Sequence, residues 1–271
     1  MRLALWVVCA AGCDKLLGLS PLSPSNAGTA ADAEVDSPAQ GCTLTMMTQI
    51  NTYNSPPNTA EMALFASASD AMVVMGDLRI YHRPSISTMQ TDGPIFQPLA
   101  SHPVVTPDGS TLYFHSIAAG GIYMSIDGDG DRLNGWTSPD PGDTPPGQYP
   151  GTPSATGTMV VVSSTGDFVE FAHGPAGWME KSNYPAAALG FGGSIDYPAL
   201  TSDGRVLVYR VTGSSGKDGI WGVTRSDESE SFSGATATQL TPMPLTSPYL
   251  SESCVRLYGL DAAGNIALWS Q

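Results

Sequence analysis

The chain has 271 residues, with 25 acidic against 11 basic side chains, a formal charge of −14, and 30 Gly and 22 Pro. Such a length buries a sizeable core, while the frequent Gly and Pro break any long helical period and point to an all-β fold. The acidic balance excludes the basic footprint that nucleic acid or another polyphosphate requires.

The first residues, MRLALWVVCAAGC, carry one cation at Arg2, an apolar run from Leu3 to Ala11, and then Gly12 and Cys13. That run is too short for a permanent membrane span and has the form of an export signal. Residues Ala10-Ala11-Gly12-Cys13 resemble the bacterial lipobox, where small residues admit the signal peptidase and the Cys thiol is acylated. The resemblance implies a lipoprotein-type signal at 1–12 and lipidation of Cys13. The mature protein is then an exported, membrane-anchored lipoprotein on the periplasmic or cell-surface side, held by its acyl chains. An ordinary secretory signal cut near Ala11 is the alternative.

Residues 13–41 are rich in Ser, Pro and Ala and hold no aromatic side chain, the composition of a disordered tether. A folded domain is expected over 42–271. If Cys9 leaves with the signal and Cys13 carries lipid, Cys42 and Cys254 remain as an even pair in an oxidising compartment. A disulfide between them would close a loop of more than 200 residues, worth about 4–5 kcal/mol in the chain-entropy model. Two free buried thiols are the other reading.

From there the chain repeats itself. The first copy, EMALFASASDAMVVMG, places Asp70 where the second, SHPVVTPDGSTLYF, places Gly109. The same point is Gly157 in YPGTPSATGTMVVVSS, Gly204 in DYPALTSDGRVLVYRV and Cys254 in SPYLSESCVRLYGL, at intervals of 39, 48, 47 and 50 residues. Each copy continues with a second apolar segment, at 77–83, 120–126, 166–172, 218–224 and 264–270. In the first four copies a later aromatic follows, at Phe96, Trp136, Trp178 and Phe232. A unit of four short strands at this period is the mark of a β-propeller blade, which buries its faces by stacking on its neighbours. The turn between the first two strands is structural: Pro107 presets φ, Asp108 bonds nearby backbone, and Gly109 takes positive φ. Asp203 and Gly204 repeat it.

The pattern P-x-x-S/T-x-D-G-x-x-L-Y-F…G-x-I-Y resembles the TolB-type propeller repeat of bacterial envelope proteins. Pro103, Thr106, Asp108, Gly109, Leu112, Tyr113, Phe114, Gly121, Ile122 and Tyr123 carry it, followed by Pro198, Thr201, Asp203, Gly204, Leu207, Tyr209, Gly219 and Ile220. Pro248, Ser251, Leu257, Tyr258, Gly264, Ile266 and Trp269 keep it in the fifth copy, which has lost the Asp-Gly. The resemblance covers about residues 43–271. It implies five four-stranded blades, six being the alternative. The fifth copy reaches Gln271 straight after its third strand, so residues 43–50 are expected to supply its outer strand and close the ring.

Candidate chemistry is sparse. Asp127, Asp129 and Asp131 alternate as in the start of a calcium loop, but Arg132 stands where such a loop needs Gly and Ser138 where it ends in Glu. A solvated loop is the other reading, and no further cofactor is indicated. Ser125, Asp127, Gly130 and Trp136 partly resemble the Asp-box of sialidases, itself a structural turn. A sialidase-like site would need several convergent Arg and a Tyr activated by Glu. Four scattered His form no metal-binding spacing. The expected function is a non-catalytic binding scaffold for a protein or glycan of the cell envelope, and the alternative is a carbohydrate-active hydrolase or lyase on the same scaffold.

Overall fold

The computed structural model describes residues 42–53, 60–64, 70–74, 77–85, 88–98, 100–128 and 136–271, the stretch 64–99 by its backbone alone. The signal, Cys13, the tether, Asp129 and Asp131 lie outside the described residues. Five antiparallel sheets follow one another in chain order. Strands β2 (Glu61–Leu64), β3 (Asp70–Val74), β4 (Asp77–Ser85) and β5 (Thr88–Pro98) form the first. The second holds β6 (Ala100–Val105), β7 (Thr111–Ser116) and β8 (Ile122–Ile126), and the third β9 (Thr158–Val162), β10 (Phe168–Gly174) and β11 (Gly177–Tyr184). The fourth is β12 (Ser194–Leu200), β13 (Val206–Thr212), β14 (Gly219–Thr224) and β15 (Thr238–Thr241). In the fifth, β16 (Thr246–Leu250), β17 (Arg256–Leu260) and β18 (Ile266–Ser270) take β1 (Thr48–Tyr53) as their outer strand.

The fold is all-β, and the expected turns are present. Gly109, Gly157 and Gly204 have φ of 76°, 86° and 66°, and Cys254 at the same repeat position has 58°. Asp108 Oδ1 accepts from Thr106 Oγ1 at 2.6 Å and from the Ser110 N–H at 3.0 Å. Asp203 accepts from Thr201 Oγ1 at 2.7 Å and from the Arg205 N–H at 3.0 Å. Cys254 is bonded to Cys42, with their Cα atoms 5.6 Å apart.

Two expectations need correction. The outer strand of the fifth sheet is residues 48–53, not 43–50, because the preceding segment is held elsewhere. Cys42 is in the disulfide, Leu44 packs on Gly222, and the Met47 N–H donates to Leu240 O at 2.7 Å. Among the described residues the four-stranded unit is reduced to three ladder strands in the second and third copies. In the second, the bridges Asp127–Trp136 and Met124–Asp140 stand in for an outer strand, and in the third the bridge Tyr149–Val162 stands in for the first. Pro139, Pro141, Pro145, Pro146, Pro150 and Pro153 crowd this stretch and cannot donate to a ladder.

The core lies between successive sheets. Tyr113 and Ile122 of the second meet Met159, Val161 and Phe171 of the third. Val160, Phe168 and Tyr184 of the third meet Leu207 and Tyr209 of the fourth, and Val206 and Val208 on its other face meet Leu257 and Trp269 of the fifth. Leu260, Ile266 and Leu268 of the fifth pack on Met62 of the first. Each large side chain so buried contributes about 1.5–3 kcal/mol.

The first strands lie side by side. Thr152 bridges Ala199 in parallel, and the Met62 N–H donates to Ser247 Oγ at 3.1 Å, so β2 meets β16. Gly151 allows the close approach, since a Cβ there would stand 2.5 Å from Pro198 O.

Candidate functional site

Counting back three residues from Leu64, Val105, Leu200 and Leu250, the last residues of four first strands, gives Glu61, His102, Tyr197 and Ser247. One repeat position therefore recurs where these strands converge. His102, Tyr197 and Ser247 each precede a proline and have φ of 53°, 50° and 50°. Positive φ in such residues costs about 1–3 kcal/mol each, and proline already restricts the residue before it. The ladders shift register at all three places, as expected of bulges that re-aim side chains.

The re-aimed groups interlock. Glu61 accepts from the His102 N–H and from Tyr197 Oη at 2.8 Å, while His102 Nδ1 lies 3.3 Å from Glu61 Oε1. The His102 ring is stacked between Tyr149, 4.0 Å away between centroids, and Tyr197, 4.7 Å away. Arg210 of β13 grips Asp196 through Nε at 2.7 Å and Nη2 at 2.6 Å, and lies over the Tyr197 ring at 4.6 Å. Burial lowers the His102 pKa and outweighs the opposing pull of Glu61 and Asp196. Burial first, and then Glu61, hold the Tyr197 phenol well above its ordinary value. The adjoining cavity, lined by Met62, Val105, Thr152 and Pro198 among others, is about 30 Å³, room for about one water molecule.

This cluster meets half of what a sialidase-like site requires. A Tyr–Glu pair is present, but its phenol is held neutral and the neighbouring Arg210 is already engaged by Asp196. Arg205 is exposed, 3.9 Å from Asp203, and Arg225 is buried against Glu170 at 2.8 Å. Arg79 and Arg83 lie on β4, described by backbone alone, and Arg132 lies outside the described residues. Asp127 bridges Trp136, and its N–H donates to Ser110 O at 2.9 Å. Sequence reasoning missed the convergent position, and its only signal was the recurring His102-Pro103, Tyr197-Pro198 and Ser247-Pro248 dipeptides.

At the opposite end of the first strands the turns meet each other. The second residue of each turn is Pro107, Ala155, Ser202 and Glu252. The Ala155 N–H donates to Ser202 O at 2.7 Å, and the Ser202 N–H donates to the Glu252 carboxylate at 2.9 Å. At the junction of the third and fourth repeats, the fully buried Glu170 also accepts from Arg225, from Lys181 at 3.0 Å and from Tyr184 Oη at 2.5 Å. Glu228 accepts from Ser154 Oγ at 2.9 Å and from Thr156 Oγ1 at 2.5 Å.

Between the second and third repeats the same tie is chemically impossible. Pro107 has no N–H to give, and Ala155 has no carboxylate to offer. A cleft of about 320 Å³ opens there, lined by Pro107, Asp108, Tyr113, Ala155, His173 and Trp178 among others. Asp143 adds a carboxylate 2.9 Å from His173 Nε2, and its carbonyl accepts from Trp178 Nε1 at 3.2 Å. Burial pushes the Tyr113 phenol up to about 12, with the charges of Asp143 and Asp108 adding to it. Burial opposes ionisation of Asp108, but hydrogen bonds from Thr106 and Ser110 hold its carboxyl below the usual range.

No family model matches the chain, and no curated protein sequence matches it. Solved structures similar to it are TolB-type and related propellers. TolB from Acinetobacter baumannii is 17% identical over 78% of this chain and 54% of that one, with a TM-score of 0.46. A TolB from Agrobacterium tumefaciens is 15% identical over 77% and 72%, with a TM-score of 0.49. The periplasmic gluconolactonase of Pseudomonas aeruginosa is 15% identical over 79% and 69%, with a TM-score of 0.44. The chain thus spans about half the length of the Acinetobacter TolB.

Proposed function

We propose that residues 42–271 form a five-bladed β-propeller, its last blade completed by β1, acting as a non-catalytic scaffold that binds a protein or glycan of the cell envelope. The filled axis carries this reading. His102, clamped between Tyr149 and Tyr197, occupies the place where a propeller enzyme would hold its substrate, and the adjoining cavity of about 30 Å³ takes no sugar ring. Five rather than six blades is supported by the contact of β16 with β2. The signal-like N-terminus supports an exported protein anchored through Cys13, and the Cys42–Cys254 bond fits an oxidising compartment. Crosslinking the protein in its native envelope should recover an envelope protein or glycan with it. Recovery of lipid alone under several conditions overturns the scaffold reading.

One observation favours the alternative, a carbohydrate-active hydrolase: the Tyr197–Glu61 hydrogen bond at 2.8 Å. A panel of fluorogenic glycosides decides it. Turnover by the protein that disappears in Tyr197→Phe would establish the hydrolase.

A further inference from the structure

The cleft between the second and third repeats holds a polar group with nothing in the fold to bond. Tyr113 is 9% exposed and lines the cleft, and among the described residues no group hydrogen-bonds its hydroxyl. Packing does not ask for that hydroxyl. On the strand after each turn, the place that faces the next sheet is Val160 in the third repeat and Val208 in the fourth, each in an apolar cluster. A polar atom so placed takes its partner from the cleft, either water or a ligand that displaces water.

Around the hydroxyl, charge is already spent. Asp143 accepts from His173 Nε2 at 2.9 Å, and Asp108 holds Thr106 and Ser110 among its partners. A cation therefore finds no open carboxylate, and an anion meets two charges of its own sign. What remains is neutral. The rings of Tyr113 and Trp178 stand at 85° to each other with centroids 6.3 Å apart, forming a corner. Because a carboxylate only accepts, His173 donates from Nε2, and in the neutral ring Nδ1 is then an acceptor.

We propose that this cleft binds a neutral pyranose ring of a glycan. The inference rests on the scaffold reading and selects the glycan as the ligand at this site. A pyranose turns apolar C–H faces towards aromatic rings and carries hydroxyls around its rim, which can donate to His173 Nδ1 and bond the Tyr113 hydroxyl in either direction. An apolar peptide side chain would expel the same water and leave that hydroxyl unpaired. The volume of about 320 Å³ lies at the lower end of ligand-binding pockets, whose aromatic walls carry a few placed polar groups. Pro107 keeps the site available. By lacking an N–H it removes the tie that joins the turns of the later repeats, where Ala155 and Ser202 donate.

The probes are maltose, cellobiose and diacetylchitobiose, each titrated into the full protein while the Trp indole N–H resonances are followed by NMR, with Trp178 assigned from Trp178→Phe. The acetylated, amidated tripeptides Gly-Arg-Gly and Pro-Leu-Pro are run beside them. At least one disaccharide should shift the Trp178 resonance saturably, with an affinity that added salt leaves unchanged, and the tripeptides should leave the resonance in place. Tyr113→Phe keeps both rings and should weaken binding by about tenfold without lowering the unfolding midpoint. The pair Pro107→Ser with Ala155→Glu, which rebuilds the missing tie, should abolish it. Silence of all three disaccharides, tighter binding of either tripeptide, or undiminished binding by Tyr113→Phe overturns the proposal. If the sugars fail while crosslinking still recovers an envelope partner, the cleft assignment falls and the scaffold reading stands.

Discussion

The junction of the third and fourth repeats and the junction of the second and third are built on the same repeat at the same end of the strands, yet one is filled and the other open. In the first, Glu170 has no exposed surface and gathers Arg225, Lys181 and Tyr184, while Glu228 reaches back to Ser154 and Thr156. In the second, Pro107 faces Ala155 and a cleft of about 320 Å³ remains. The difference teaches that the repeat fixes where strands and turns lie, whereas single polar groups at the turns decide whether neighbours are tied. The filled junction serves stability. In the open one the turns stay apart and the cleft remains between them.

The largest effect is expected at the filled junction. Arg225→Leu leaves the Glu170 charge buried without its main partner and should lower the unfolding free energy by about 3–5 kcal/mol, read from urea denaturation. His173→Ala at the open junction, where the side chain is 42% exposed, should change it by less than about 0.5 kcal/mol. Equal losses at the two sites would erase the distinction. Next comes Glu252→Ala, which removes the acceptor for the Ser202 N–H and Oγ and should cost about 1–2 kcal/mol by the same measurement. Pro107→Ser with Ala155→Glu should scarcely alter stability. A new hydrogen bond worth about 1 kcal/mol is offset by the loss of proline's restriction of the unfolded chain, about 0.4–1 kcal/mol.

The smallest effect belongs to the cluster around His102, where the first strands converge. His102 is held neutral because burial lowers its pKa, so the unfolded chain takes up the proton first as pH falls through its ordinary value of 6.5. The stability from this group is complete above that pH and drains away as pH falls towards the lowered folded value. His102→Gln should flatten that part of the stability profile. Asp108 and Glu228 also lose their contribution on acidification, because their hydrogen bonds outweigh burial and lower their pKa values, but only below 3.8 and 4.5. The two windows can therefore be separated in one titration of unfolding midpoints.

What was legible in the sequence was what local backbone chemistry dictates. Asp-Gly after Pro demands a tight turn, and the recurrence of that demand exposed the repeat, including Cys254 at a glycine's place. With Cys9 and Cys13 set aside, Cys42 was its expected partner against the reading of two free thiols, and the structure shows the bond. The position of β1 was not legible, because TLTMM is equally apolar against either neighbour and only the disulfide and the buried Met47 assign it. The thinned ladders of the second and third repeats were signalled by proline, but the four-stranded period obscured them. The cluster around His102 escaped because its first member, Glu61, sits in a degenerate copy with Met62 in place of proline. The cleft escaped for another reason: Pro107 and Ala155 face each other across 48 residues of chain, a proximity that no local pattern announces.

The Cys42–Cys254 bond also bears on force. Cys42 lies just ahead of β1, so tension on the chain upstream of residue 42 enters the fold through a covalent link to the fifth sheet. It does not act on the hydrogen bonds between β1 and β18, which would otherwise break in succession from the strand's free end. A domain drawn by its N-terminal side would then keep β1 on β18 under load until the sulfur link is reduced.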